Sequence, residues 1–178
     1  MALRKASAYS KKMARPYTRK SAHKSKAYIK TIPYSKIVKL RMGAQKDYDT
    51  GKHKYIVQLI ALEGTQVRDT ALEAGRMLAH KLMEEKIPGQ YYFEVKVYPH
   101  HFIRENKMAA GAGADRMATG MTQSFGIVIG RMALVSPNQV ILFASCPDEK
   151  TAAVAKQCMT TVKSKFPCAT KVVISKID

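Results

Sequence analysis

Between Pro99 and Met121 the chain carries residue types suited to holding a crowded polyanion. Arg104, Lys107 and Arg116 place cations around a run that contains Gly111, Gly113 and Gly120 and is studded with Met108, Met117 and Met121. Cationic side chains contact phosphates, and glycines permit backbone conformations closed to other residues. Phe102, Ile103 and Arg104 still read as strand, but from Asn106 to Met121 there is neither alternation nor a helical stripe. Long unpatterned segments inside compact domains usually carry function. The plainer alternative is a disordered surface loop. An enzymatic alternative uses Gly111-Ala112-Gly113 as a phosphate cradle built from backbone N–H groups. No Gly-Lys-Ser/Thr follows it, and the pattern predicts no helix there to lend its N-terminus. The sequence therefore reads as a binding protein rather than an enzyme.

The charge points the same way. The 178 residues carry a net charge of +18, and 14 of the 31 basic residues fall in the first 46 positions, ahead of the first acid, Asp47. The remaining 17 basic residues face 13 acidic ones, so the body is nearly balanced. A single-sign block on a balanced domain is an arm that threads along phosphates, although such a tail can also serve solubility alone. Residues 1–35 are read as that arm, carrying Arg4, Lys5, Lys11, Lys12, Arg15, Arg19, Lys20, Lys24, Lys26 and Lys30. Tyr9, Tyr17, Tyr28 and Tyr34 are interleaved among these cations, where tyrosine can stack on exposed bases. Pro16 and Pro33 oppose a continuous helix. The arm is too charged and too poor in large aliphatics to fold alone, and it is expected to order on its partner.

Cys146, Cys158 and Cys168 are too widely spaced for a Cys-x-x-Cys site. An odd number without a secretion signal suggests reduced thiols in a cytoplasmic setting, with Cys146 and Cys158 packing as small hydrophobes. No run approaches a membrane span in length. His100 and His101 are adjacent, so in an extended chain they point to opposite sides and do not grip one metal; a hydrogen bond to RNA or backbone suits them better. His80 reads as a surface residue. No metal or cofactor is expected.

The elements that must position these groups can be traced in order. Residues 37–42 read as a first strand ended by Gly43, with turn chemistry from 45 to 52. A nearly continuous apolar strand follows over 55–62. Val67, Ala71, Ala74, Leu78 and Leu82 form a helical stripe, predicting a helix over 65–86 capped by Thr65, with Asp69 near its positive end and Pro88-Gly89 stopping it. Over 91–98, Phe93, Val95 and Val97 alternate with polar residues as in a half-buried strand. Strands over 125–135 and 140–144 flank Pro137-Asn138-Gln139 and are expected to form a hairpin. Asp148 caps a second helix to about residue 165, its inner face carrying Ala155, Cys158 or Met159, Val162 and Phe166, and 171–175 closes the chain as a strand. The order ββαβ, loop, ββαβ predicts an α+β sandwich, mainly antiparallel sheet with two helices packed on one face. The expected organisation is the arm over 1–35 and one domain over 36–178, with a functional internal loop at 105–122.

Arg104-Glu105-Asn106-Lys107-Met108-Ala109-Ala110-Gly111-Ala112-Gly113-Ala114-Asp115-Arg116-Met117-Ala118-Thr119-Gly120-Met121 strongly resembles the internal loop of a large-subunit ribosomal protein family, called L10e in archaea and L16 in bacteria. Arg15-Pro16-Tyr17-Thr18-Arg19 and Lys36-Ile37-Val38 resemble that family's arm and first strand, Leu72-Glu73-Ala74-Gly75-Arg76 its first helix, and Pro99 to Arg104 the strand before the loop. The resemblance covers nearly the whole chain and is nearest in style to the archaeal form. It departs at Thr122, where the family usually has Arg, and at Ile127-Val128, where it usually has Lys-Pro.

The resemblance implies an α/β-hammerhead fold and a structural constituent of the large subunit. It implies binding to 23S-type rRNA, in the vicinity of 5S rRNA, between the central protuberance and the stalk base. The loop would lie near the peptidyl-transferase region and the tRNAs of the A and P sites, among neighbouring ribosomal proteins. The candidate RNA-binding residues are therefore Arg4, Lys5, Lys11, Lys12, Arg15, Tyr17, Arg19, Lys20, Lys24 and Lys26 in the arm. To these are added His100, His101, Arg104, Lys107, Met108, Gly111, Gly113, Arg116, Met117 and Gly120. A non-ribosomal regulatory RNA-binding protein is the alternative.

Overall fold

Alternating apolar residues in the middle of the chain build the larger of two antiparallel sheets. A computed structural model describes residues 7, 29, 31–105 and 127–177. The five strands of the larger sheet are β1 (Arg41–Gly43), β2 (Tyr55–Ala61), β4 (Tyr92–Val95), β7 (Val140–Cys146) and β8 (Thr170–Lys176), in spatial order β1-β4-β7-β2-β8. Its register aligns Phe93, Ala144, Val57 and Ile174 in one row and Val95, Leu142, Leu59 and Val172 in the next. All eight face the main core. Because strand side chains alternate between faces, that row alignment gives the sheet one continuous apolar side.

Two helices cover that side. In α2 (Asp69–Lys86) the buried stripe is Ala71, Leu72, Gly75, Ala79 and Met83. In α3 (Glu149–Val162) it is Ala152, Ala155, Cys158, Met159 and Val162. Gly75 lets the helices close tightly: a Cβ there would stand 2.8 Å from Cζ of Phe166, which follows the 3-10 turn Lys163–Lys165. The start of α3 is fixed locally. The Thr151 hydroxyl donates to the Asp148 carbonyl at 2.7 Å and accepts from the Asp148 N–H at 3.2 Å. This satisfies groups that a helix end otherwise leaves open.

The smaller sheet has three strands in the order β3-β6-β5, with β3 at Thr65–Arg68, β5 at His101–Glu105 and β6 at Ile127–Val135. A short helix, α1 (Gln45–Asp49), lies on the side of the large sheet away from α2 and α3, where Tyr48 stacks on Tyr92 with centroids 4.5 Å apart.

The α+β class, the antiparallel sheets and the two long helices match the expectation from sequence. Four details differ. Residues 65–68 are strand β3 rather than the first turn of α2, so Thr65 is not a helix cap; pairing with Val135 to Met132 of β6 overrides the local helical stripe. The strands on either side of residues 136–139 do not form a hairpin. β6 joins β3 and β5, whereas β7 inserts between β2 and β4, so the turn carries the chain from one sheet to the other. That turn closes on the end of β2, with Asn138 at φ 64° and its N–H donating to the Ala61 carbonyl at 2.8 Å. The first strand begins only at Arg41, and residues 45–49 form α1 rather than a plain turn.

Candidate nucleic-acid interface

The small sheet is where both basic segments of the chain are rooted. Strands β5 and β6 pair from His101↔Met132 to Glu105↔Ile127, so residues 106–126 leave from and return to adjacent strand ends. Ile103 pairs with Gly130 and Arg104 with Val128, leaving Ile129 as the extra residue of a bulge. A bulge increases local twist and re-aims the strands, here just where the chain departs into the glycine-rich segment.

The arm is tied down on the same strands. Ile29 is buried in a cluster with Phe102 of β5, and Val128 of β6 packs against them. Arg131 of β6 donates from Nε to the Pro33 carbonyl at 2.7 Å and from an Nη to the Tyr98 hydroxyl at 3.4 Å, and its guanidinium lies 5.7 Å from the Phe102 ring centroid. From there residues 34–40 cross the start of α2 as an extended strap. The Lys36 N–H donates to Asp69 Oδ2 at 3.1 Å and the Val38 N–H to Glu73 Oε2 at 3.3 Å, and the Leu40 carbonyl accepts from Val95 at 2.9 Å. Arg76 donates from Nε to the same Glu73 Oε2 at 2.8 Å and contacts the Met42 sulfur. Hydrogen bonds from Arg76 hold the Glu73 carboxyl below the usual carboxylate range, against the opposing effect of burial.

The acids that could repel an anion here are thus buried and engaged, Asp69 at 3% and Glu73 at 9% exposure. Residues 31–40 contain Lys36 and Lys39 and no acid. The strap sets Ile37 and Leu40 against the core and turns Tyr34 and Val38 outward, at 89% and 76% exposure.

Three of the sequence-derived site residues fall within the described chain. His100 is exposed, while His101 is half-buried; they point to different surroundings, as adjacent residues of an extended chain should. Burial pulls the His101 imidazole below its ordinary pKa, and its Nδ1 finds no hydrogen-bond partner among the described residues. Arg104 is 4% exposed and engaged within the chain, two residues beyond Phe102 on the same face of β5. Arg4, Lys5, Lys11, Lys12, Arg15, Tyr17, Arg19, Lys20, Lys24 and Lys26 lie outside the described residues. So do Lys107, Met108, Gly111, Gly113, Arg116, Met117 and Gly120. What sequence reasoning missed is Arg131, the residue that ties the arm to the root of the loop. Its signal was a lone cation inside the apolar run of β6, between Ile129 and Met132.

Among the described residues no group of His, Cys, Asp and Glu is arranged to hold a metal ion, and no helix is long and apolar enough to cross a membrane. Compared with known proteins, residues 13–173 match the family described as ribosomal protein L16p/L10e. The large ribosomal subunit protein uL16 of Staphylothermus marinus is 38% identical over 179 residues, covering 99% of this chain and 96% of the relative. Those of Hyperthermus butylicus and Thermoplasma volcanium are 42% and 41% identical, covering 88% and 93% of this chain and 82% and 93% of the relatives.

Proposed function

The chain belongs to the ribosomal protein L16p/L10e family, and from that premise we propose that its arm and its glycine-rich loop bind rRNA as one continuous surface rooted on β5 and β6. It is a structural constituent of the large ribosomal subunit, working among rRNA and other ribosomal proteins, and not an enzyme. The observation that carries the proposal is the shared root: Ile29 and Pro33 of the arm are bound to the strands that open and close residues 106–126. Two basic segments leaving one sheet can follow a folded RNA on two sides while the body fixes where both begin.

In this reading the cations of the arm, from Arg4 to Lys26, neutralise phosphates of 23S-type rRNA and Tyr17 stacks or hydrogen-bonds beside them. The protein sits between the central protuberance and the stalk base, near 5S rRNA. Residues 105–122 reach toward the peptidyl-transferase region and the tRNAs. There Lys107 and Arg116 supply charge, and Gly111, Gly113 and Gly120 allow the backbone close approach. Support comes from the family membership, the acid-free arm and the common root of both segments. The test is Arg116→Ala in purified ribosomes. The expected outcome is weakened tRNA binding with the protein still stoichiometric in the large subunit; tRNA binding equal to that of wild type contradicts the role given to the loop.

A further inference from the structure

Beside Arg131 the body carries an aromatic surface at the end of the chain segment that leads into β5. Tyr98, Pro99 and His100 form a tight turn in which the His100 N–H donates to the Tyr98 carbonyl at 3.0 Å. That is a three-residue turn, and proline's fixed φ suits its central position. It brings the rings of Tyr98 and His100 to 4.6 Å between centroids at an interplanar angle of 50°. Tyr98 is 38% exposed, His100 is exposed, and Pro99 between them is buried. The Tyr98 hydroxyl is held by Arg131, whose guanidinium is anchored on the Pro33 carbonyl. Tyr34 follows directly in the chain and is 89% exposed. Residues 95–104 contain no acid, and neither do residues 31–40.

An exposed tyrosine costs little entropy to hold in place when its hydroxyl is pinned and its backbone is locked in a proline turn. Leaving such rings in water beside a cation is the arrangement that single-stranded nucleic acid exploits: bases stack on aromatic faces while nearby guanidinium and ammonium groups meet the phosphates. We propose that Tyr98 and His100, oriented by Arg131, form a stacking platform for an unpaired RNA base at the root of the loop. The occupant is an RNA nucleotide rather than a protein because both chain segments that frame the platform are basic and acid-free. They also continue into the two basic segments of the chain. This deepens the proposed function and rests on it. It adds a contact that depends on the base, where the arm depends on charge.

The experiment measures binding of the full chain to a single-stranded oligouridylate of about a dozen nucleotides and to an abasic strand of the same length, each over a series of salt concentrations. Tyr98→Ala is expected to weaken binding to oligouridylate roughly tenfold, to leave abasic binding unchanged, and to keep the same salt slope, since stacking releases no counterions. Tyr98→Phe, which keeps the ring but loses the hydroxyl that Arg131 holds, is expected to lose only a small part of the affinity, well short of Tyr98→Ala, and His100→Ala, at an exposed position, to lose part of it. Equal loss for the two strands, a changed salt slope, or wild-type affinity for oligouridylate in Tyr98→Ala each overturns the platform. A surface that instead meets a protein gives that last result. Failure of the ribosomal reading is seen separately, as loss of the wild-type protein from large subunits.

Discussion

Replacing Glu73 with alanine should loosen the strap and destabilise the body together. Glu73 accepts from Arg76 Nε at 2.8 Å, from a second Arg76 nitrogen, and from the Val38 N–H at 3.3 Å. Breaking one partner of a fully buried ion pair costs about 3–5 kcal/mol, because the other charge is left uncompensated. Here the side chains of Arg76 and Glu73 keep 10% and 12% exposure, so water relieves some of the penalty and the lower end applies, about 3 kcal/mol. For a chain of this size that corresponds to a fall in Tm of about 6–12 °C. The assay is thermal unfolding of Glu73→Ala, Arg76→Ala and the double variant. The double variant should be less destabilised than the sum of the singles, with a coupling of about 1–3 kcal/mol, since it leaves no orphaned charge. Amide exchange at Val38 should accelerate in Glu73→Ala while that at Ala155 in α3 follows global stability only. The pH dependence has a definite sign. The folded carboxyl is held below its ordinary pKa, so its contribution is present above the unfolded value, about 4.3, and is lost as pH falls through the folded value. Glu73→Ala should therefore flatten the acid limb of the stability profile. A Tm within about 1 °C of wild type, or strict additivity in the cycle, refutes the reasoning.

Further outcomes follow from other contacts. The Tyr91 hydroxyl donates to Glu84 Oε2 at 2.7 Å and stands 2.7 Å from His80 Nδ1, so Tyr91→Phe should cost about 1 kcal/mol, read by denaturant unfolding, Glu84 being able to turn to water. At Gly75 an added methyl meets the Phe166 ring, so Gly75→Ala should lose about 1 kcal/mol net. Overpacking there outweighs the helix-propensity gain, and Phe166→Leu in the same chain should restore part of the loss. His53 is 5% exposed with Nδ1 2.7 Å from the Ser145 hydroxyl, and burial lowers its pKa. The unfolded chain thus binds a proton that the folded one refuses as pH drops below about 6.5, so stability should fall there, and His53→Gln should remove that slope in calorimetry.

How much of this was legible in the sequence depended on how local each signal was. The strand around Phe93, Val95 and Val97 and the helix opened by Asp148 were readable, because alternation, and a capping acid followed by the apolar stripe through Ala155 and Val162, are written into neighbouring positions. The start of α2 was not. Val67 continues the helical spacing of Ala71, and Thr65 is a good cap by type, yet residues 65–68 are claimed by β6 from nearly seventy positions away. The turn at Asn138 was visible as a turn, but which sheet each flank joins was decided by β2 and β4, which pair with the two edges of β7. The same division holds at the interface. The acid-free arm and the glycine-rich segment were plain from residue types. Their common root was not, because Ile29 on Phe102 and Arg131 on Pro33 are contacts across 73 and 98 residues. Asp69 was read as a partner of its own helix end, and it does accept from Thr70, but its other oxygen holds the amide of Lys36. His80 read as a surface residue and instead borders the Tyr91 hydroxyl.

The central claim is that this chain is built into the large ribosomal subunit by a basic arm and a glycine-rich loop that share one root. The most direct test follows the full chain through a high-salt wash of ribosomes and then sedimentation. The account predicts that it stays stoichiometric with the large subunit. Arg131→Ala, which removes one of the ties between the arm and the strands at the loop's base, should raise the salt sensitivity of that association. A wild-type protein that washes off and runs free, or travels only with non-ribosomal RNA, contradicts the account.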